Sequence, residues 1–396
     1  MLLTFCYIIF HTFGIQKDEI MNKKSPTPFP TTTYYGPEYF CDRNNEIEVL
    51  KNNINNHQST TLIAIRRMGK TGLINHLQHH ISKDWETIYI DILSTENLND
   101  LLNSLSTAIL KTIPEKTKIG QKIWNFFKSL HVTLSYDPLT GEPNVSFNLK
   151  QNESKTQIKN LLQMLDKHHK PVLIAIDEFQ QITSYPEKGT DAYLRTIVQQ
   201  LKNVVFIFSG SQQHIMHDLF SNPSKPFFRS TAFLHLEKID FETYQKFIIQ
   251  QFEKHKKKIS EKVVEEILIW TNAHTYYVQL LCNRVYSACK KEADTKTWQL
   301  EASRLLKEQE MVFFTYREML TKPQWKLIKA IAKEERVYSI TSSAFIQKYG
   351  FGSSSGIIRS VQSLLKKELI NKQYDKKGKQ YYSIYDVLFL RWLEAL

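Results

Sequence analysis

The 396-residue sequence holds four cysteines, Cys6, Cys41, Cys282 and Cys289. None forms a Cys-x-x-Cys pair or stands in a histidine-rich stretch with zinc spacing, which excludes the usual sequence signatures of a disulfide framework or structural zinc. They read as reduced thiols of a cytosolic protein, and Cys282 and Cys289 share a face of an expected helix, where disulfide geometry is out of reach. The thirteen histidines contain no His-Glu-x-x-His pattern, and no Ser/His/Asp or Cys/His motif context accompanies them. His79-His80 and His168-His169 read as helix-end surface residues. Long apolar runs are also missing. Residues 2–10 are apolar but far short of the roughly 20 needed to span a bilayer, and no basic stretch precedes them. Met21, followed by Asn22-Lys23-Lys24, reads as the true start, with residues 1–20 an upstream translation. No membrane partner is expected.

What is present is globular: 42% of residues are apolar, and the length suits two or three domains. The formal charge of +12 is unevenly placed, because residues 321–396 hold 14 Lys/Arg against 6 Asp/Glu. Such a basic C-terminal module attracts polyanions non-specifically.

The most informative stretch is Thr61-Leu62-Ile63-Ala64-Ile65-Arg66-Arg67-Met68-Gly69-Lys70-Thr71. An apolar strand runs into a loop with a glycine for close backbone approach, a lysine to reach outer phosphates and a hydroxyl to ligate Mg²⁺. Leu73, Ile74 and Leu77 then continue at helical spacing, which places the loop between strand and helix. Ala64 stands where such loops ordinarily carry their first glycine. Arg66, Arg67, Met68, Gly69, Lys70, Thr71 and Gly72 are the expected nucleotide-binding residues. For Arg66 and Arg67 the alternative is a structural ion pair with Glu178 or Asp42.

The surrounding pattern alternates strands and helices. Residues 25–36 are Pro/Thr-rich, residues 1–36 together read as a poorly ordered extension, and Glu46, Leu50 and Ile54 mark a leading helix. Strands are expected at residues 60–65, 86–93, 172–176, 204–208 and 233–236, with helices at 97–112 and 153–168, as in a doubly wound sheet with ligands at the strand ends. Residues 129–150 alternate, turn through 137–143 and alternate again, predicting a β-hairpin insertion. The expected organisation is thus α/β: a core over 37–239, a helical lid over 240–320 and a winged helix over 321–396. In the last, Pro323 opens a helix carrying Trp325, Ile328, Ile331 and Ala332 inward. Residues 341–349 form a second helix, and residues 354–369 a third that buries Ile358, Val361, Leu365 and Leu369. Residues 370–374 and 380–385 flank the wing.

A phosphate loop needs an acidic partner strand, and the apolar run ending at Ile176 supplies Asp177-Glu178. Asp177 is the expected metal ligand beside Thr71, and Glu178 the general base toward an attacking water. Ser211 (or Ser209), ending the next strand, is placed near the terminal phosphate or the water. Arg229, just before the last strand, is a candidate arginine finger toward a neighbouring copy, with a solvated loop arginine as the alternative.

Together Phe40-Cys41-Asp42-Arg43 with Glu46, the Ile65 to Thr71 loop, Ile176-Asp177-Glu178-Phe179, Phe208-Ser209-Gly210-Ser211, and Tyr385-Asp386-Val387-Leu388-Phe389 with Trp392-Leu393 resemble the archaeal-type ATPases of the STAND branch, AAA+-related P-loop NTPases. The resemblance spans roughly residues 37–393. It implies an ATPase core binding ATP and Mg²⁺, a helical lid and a C-terminal winged helix, acting as a nucleotide-driven switch. Where such proteins often carry Gly-x-Pro in the lid, this chain has Asn272-Ala273-His274-Thr275-Tyr276-Tyr277. A DNA or protein partner through residues 321–396 and self-association are both open. A DNA-binding regulator using Arg359, Gln362, Lys366, Lys376, Lys377 and Lys379 and a catalytically silent ATP-binding scaffold are the competing functions. The lack of an Asn-Lys-x-Asp motif favours adenine over guanine.

Overall fold

The computed structural model describes residues 27–130, 132–136, 143–147, 149, 151–375 and 377–396. Two units divide the chain: residues 32–238 form one, and residues 239–396 together with 27–31 form the other.

The first unit runs through α1 (Asn44–Asn55), β1 (Thr60–Ile63), α2 (Lys70–Ile81), β2 (Glu86–Asp91), α3 (Leu98–Thr112), α4 (Lys118–Ser129), β3 (Thr133–Tyr136), β4 (Pro143–Ser146), α5 (Gln151–Asp166), β5 (Val172–Asp177), α6 (Thr190–Val198), β6 (Val204–Gly210), α7 (Gln213–Ser221) and β7 (Ala232–His235). β1, β2, β5, β6 and β7 pair in parallel in the order β2-β5-β6-β1-β7. β5 and β6 are buried at every position, as strands covered on both faces must be. One face, through Ile174, Ile176, Phe206 and Phe208, packs on Leu102, Leu105 and Leu161 of α3 and α5. The other, through Leu173, Ala175, Val205 and Ile207, packs on Leu50 of α1 and Leu73 and Leu77 of α2. This is an α/β fold with a central parallel sheet between helical layers.

The hairpin β3–β4 is antiparallel, as expected; its turn, residues 137–142, lies outside the described residues. α4 had no counterpart in the sequence reading. Its first turn is capped by Thr117, whose Oγ1 accepts from Gly120 N–H at 3.0 Å, and it turns Ile119, Ile123 and Phe127 into the same core as Val145 and Phe147. The hairpin and α4 are therefore built into the core rather than appended to it.

The second unit holds α8 (Phe241–Lys254), β8 (Lys258–Ile259), α9 (Glu261–Trp270), α10 (Thr275–Ala288), β9 (Glu292–Ala293) and α11 (Thr295–Glu318). Asp240, Ser260 and Asp294 cap three of these helices by accepting backbone N–H groups. A two-residue parallel bridge, β8 with β9, was not expected. Residues 27–36 are not a loose tail: Phe29 is fully buried against Phe252 and Tyr286, and Asn283 Nδ2 donates to Thr27 Oγ1 at 2.7 Å and to the Phe29 carbonyl at 2.9 Å.

A winged helix completes the unit: α12 (Lys322–Glu334), α13 (Ser343–Tyr349), α14 (Ser354–Lys366), β10 (Ile370–Tyr374), β11 (Gln380–Ile384) and α15 (Val387–Glu394). Three core assignments shift. Ser353 caps α14 at Gly356 N–H, and the resulting phase turns Ile357, Ser360, Val361 and Leu364 inward, leaving Ile358 46% exposed and Leu365 half-buried. In α12, Leu327 takes the inward position and Trp325 is half-buried beneath Arg317, whose guanidinium lies 5.0 Å from the ring centre. Phe313 of α11 packs on Phe389 and Trp392, with ring centres 5.4 and 5.5 Å apart. Cys289 is the C-cap of α10 with extended backbone, so it does not continue the helix face of Cys282. Cys41, Cys282 and Cys289 are free and buried, and Cys6 lies outside the described residues. Among the described residues no helix is long and apolar enough to cross a membrane.

Replacing Phe127 by Ala empties a fully buried aromatic site and is expected to cost about 3–5 kcal/mol of stability, read by thermal and urea denaturation. A near-zero change would show that α4 is peripheral.

Candidate functional site

The loop between β1 and α2 holds the site. Its backbone needs left-handed geometry twice, at Arg67 (φ 63°) and Gly69 (φ 98°), and a side chain is strained at both. Arg66 and Arg67 are exposed, while Met68 is 2% exposed and its side chain belongs to the apolar core. The N-cap of α2 is Gly69, which has no side chain to bond the first N–H groups of the helix, the groups that suit an anion at a helix start. Lys70, the first residue of α2, is buried. Burial lowers its pKa, and the charges of Asp177 and Glu178 oppose that shift.

Asp177 ends β5 and is 3% exposed. Its Oδ2 accepts from Thr71 Oγ1 at 2.8 Å and from Tyr89 OH at 3.0 Å, and its Oδ1 accepts from the Glu178 N–H at 3.0 Å. Thr71 and Asp177, placed together on sequence grounds, thus meet directly. A hydroxyl and a carboxylate form the hard-oxygen set that suits Mg²⁺. Tyr89 had not been expected here. Burial, then the Asp177 charge, push its phenol pKa up, so it remains a donor. Asp91, opposite Asp177 in the register, has a raised pKa through burial and the nearby Asp177 and Glu178 carboxylates.

Glu178 has left-handed backbone (φ 55°), a conformation costing about 1–3 kcal/mol for such a residue, which the surrounding contacts must hold. Its Oε2 accepts from Ser211 Oγ at 2.7 Å and from Gln180 Nε2. Ser211 therefore contacts the acid itself. Ser209, the alternative, is buried within β6, and its Oγ has no hydrogen-bond partner among the described residues. Gly210 matters for packing: a Cβ there would lie 2.4 Å from Gln180 Oε1 and 2.5 Å from Met216 Sδ.

Gly72 begins the packed part of α2, where a Cβ would meet Phe40 at 3.5 Å. Phe40 stacks on His76, with ring centres 4.2 Å apart, and Tyr34 OH lies 2.7 Å from His76 Nδ1. Arg43, in left-handed backbone, is 4% exposed and donates to Glu46 and to the Glu237 carbonyl, both at 2.7 Å. The stretch carrying Phe40 to Glu46 is thereby fixed to the core. Arg229 is not brought to this group. It precedes β7 at the opposite, N-terminal end of the sheet, exposed, with its guanidinium 5.1 Å from the Phe228 ring centre.

The chain belongs to the family described as an ATPase domain predominantly from Archaea, whose model matches residues 40–281. A second family, described as a probable winged helix domain, matches residues 311–395. Among solved structures, the Walker-type ATPase of Pyrococcus abyssi matches with a TM-score of 0.65 at 18% identity, covering 93% of this chain and 100% of that one. The ORC2 protein of Aeropyrum pernix, in ADPNP–ADP complexes, matches at 0.56 and 12%, covering 94% and 99%. The Aeropyrum pernix ORC1 protein in complex with DNA matches at 0.50 and 12%, covering 94% and 97%. At these identities the likeness is one of fold. No curated protein matches the sequence.

Gly210→Ala should force Gln180 off Glu178, lowering stability by about 1–3 kcal/mol. Melting curves of the purified variant check this.

Proposed function

We propose that the protein is a Mg²⁺-dependent ATPase whose nucleotide cycle switches its conformation. The carrying observation is the meeting of Thr71 with Asp177, beside buried Lys70 and the Gly69 N-cap of α2. In this reading Lys70 and the first N–H groups of α2 hold the outer phosphates. Arg66, Arg67, Met68, Gly69 and Gly72 complete the cradle. Mg²⁺, held by Thr71 and Asp177, supplies charge neutralisation at the phosphate oxygens.

Glu178 acts as general base toward the attacking water. Its Oε2 carries both side-chain hydrogen bonds, so Oε1 is the oxygen that takes the proton. Ser211 positions that base rather than touching phosphate. Arg229, at the far end of the sheet, serves only the nucleotide of a second copy, so its role depends on self-association.

Lys70→Ala should abolish binding of a fluorescent ATP analogue, whereas Glu178→Gln should bind it normally and lose about 10²–10⁴-fold in turnover. Equal turnover in wild type and Glu178→Gln would remove the base assignment. A wild-type chain that binds ATP without hydrolysing it would leave the silent scaffold.

A second reading adds DNA. The ORC1 neighbour is solved in complex with DNA, and here α14 exposes Arg359, Gln362 and Lys366 while the wing exposes Lys377 and Lys379. Lys376 lies outside the described residues. In that reading α14 enters the major groove and the wing lysines contact phosphates. DNA affinity should fall steeply with salt, and removing Lys377 or Lys379 should each reduce the log–log slope by about 1. Gel shifts across salt concentrations measure this, and no binding at low salt would favour a protein partner.

A further inference from the structure

Two side chains from different elements reach one oxygen of Asp177. Thr71 comes from the phosphate loop and Tyr89 from β2, and both donate to Oδ2, at 2.8 and 3.0 Å. The register explains the reach. Tyr89 stands opposite Ala175, so it shares a sheet face with Asp177, two residues further along β5. With strands about 4.8 Å apart and a rise of about 3.3 Å per residue, such positions lie about 8 Å apart, a distance a tyrosine spans. Ala175, fully buried between them, is small enough to leave the ring its space.

We infer that Tyr89 is a positioning residue for the metal site, fixing the Asp177 carboxylate so that it and the Thr71 hydroxyl face one cation. The inference rests on the reading of Thr71 and Asp177 as the Mg²⁺ ligands. Thr71 has a single hydroxyl proton and directs it at Oδ2, which turns its lone pairs away from that oxygen. That arrangement holds only while the carboxylate stays in its plane. The Glu178 N–H pins Oδ1 and Tyr89 pins Oδ2, so rotation would break both bonds at once. Without the tyrosine hydroxyl, Oδ2 is held by Thr71 alone, the group whose orientation it must set. Partners of this kind, one shell behind the metal, are worth about 10–100-fold in metal affinity.

Tyr89→Phe removes the hydroxyl and keeps the ring. Binding of a fluorescent ATP analogue to the full chain, followed in EDTA and across a Mg²⁺ titration, separates the possibilities, and direct Mn²⁺ binding by electron paramagnetic resonance gives a readout without nucleotide turnover. The expected result is unchanged affinity in EDTA, a Mg²⁺ half-saturation raised about tenfold or more, and Mn²⁺ binding weakened in parallel. A Mg²⁺ dependence equal to that of wild type would overturn the inference, as would an affinity loss of the same size in EDTA, which marks a purely structural tyrosine. Wild type and Asp177→Asn serve as the separate control: if Mg²⁺ affects analogue binding in neither, or equally in both, the metal-site reading fails whatever Tyr89 does.

Discussion

The candidate site depends on one hydrogen bond that crosses a strand, and that bond on the packing of the sheet. Thr71 follows β1 and Asp177 ends β5, yet β6 lies between these strands, so the Thr71–Asp177 contact joins strand ends roughly 10 Å apart. It can form only if the carboxyl ends are level. The registers provide this: Ile63 pairs with Gly210, Ile176 with Phe208 and Asp91 with Asp177. Levelness in turn comes from the burial of every β5 and β6 residue, since a slip of one position would carry core side chains to the opposite face. The chemistry at the rim is thus set by packing deep in the sheet.

Two of the described residues with strained backbone belong to the same rim. They are Arg67 in the loop before α2 and Glu178 after β5, both non-glycine residues in left-handed geometry. Neither conformation is what its side chain prefers, and each is held by neighbours: the loop by its junction with α2, and Glu178 by Ser211 and Gln180. Gly210 has the complementary role of leaving room, because a methyl group there would displace the amide that holds the acid.

Much of this was legible in the chain. The continuous apolar runs ending in Asp177 and Ser209 announced parallel strands buried on both faces, and the Gly69-Lys70-Thr71 sequence placed the loop. What escaped has a common cause, which is that periodicity reports one element at a time. The role of Tyr89 emerges only from strand order, which puts β2 beside β5. Arg229, a candidate finger toward a neighbouring copy or a solvated loop arginine, could not be placed at one end of the sheet or the other until the β1–β7 register was known. α4 was hidden by Pro114 and Gly120 around its first turn, which weaken a helical signal that the Thr117 cap restores. Adjacent Ile357 and Ile358 both fit a buried stripe, and only the Ser353 cap and the packing of α14 decide between them. Ser211 was placed near the right chemistry, with its actual partner, Glu178, supplied by tertiary contact.

Phe29 has a temporal consequence. Its aromatic neighbours, Phe252 and Tyr286, arrive only after the whole of the α/β unit has been made. At about 5–20 residues per second, an interval on the order of 10–50 s separates synthesis of Phe29 from that of Phe252. The α/β unit can close on contacts within residues 32–238, whereas the second unit needs a segment made before it, a loop closure of high sequence separation. The chain thus emerges with the last piece of its later unit already waiting, and that unit is complete only when the earliest described residues find helices from the other half of the sequence.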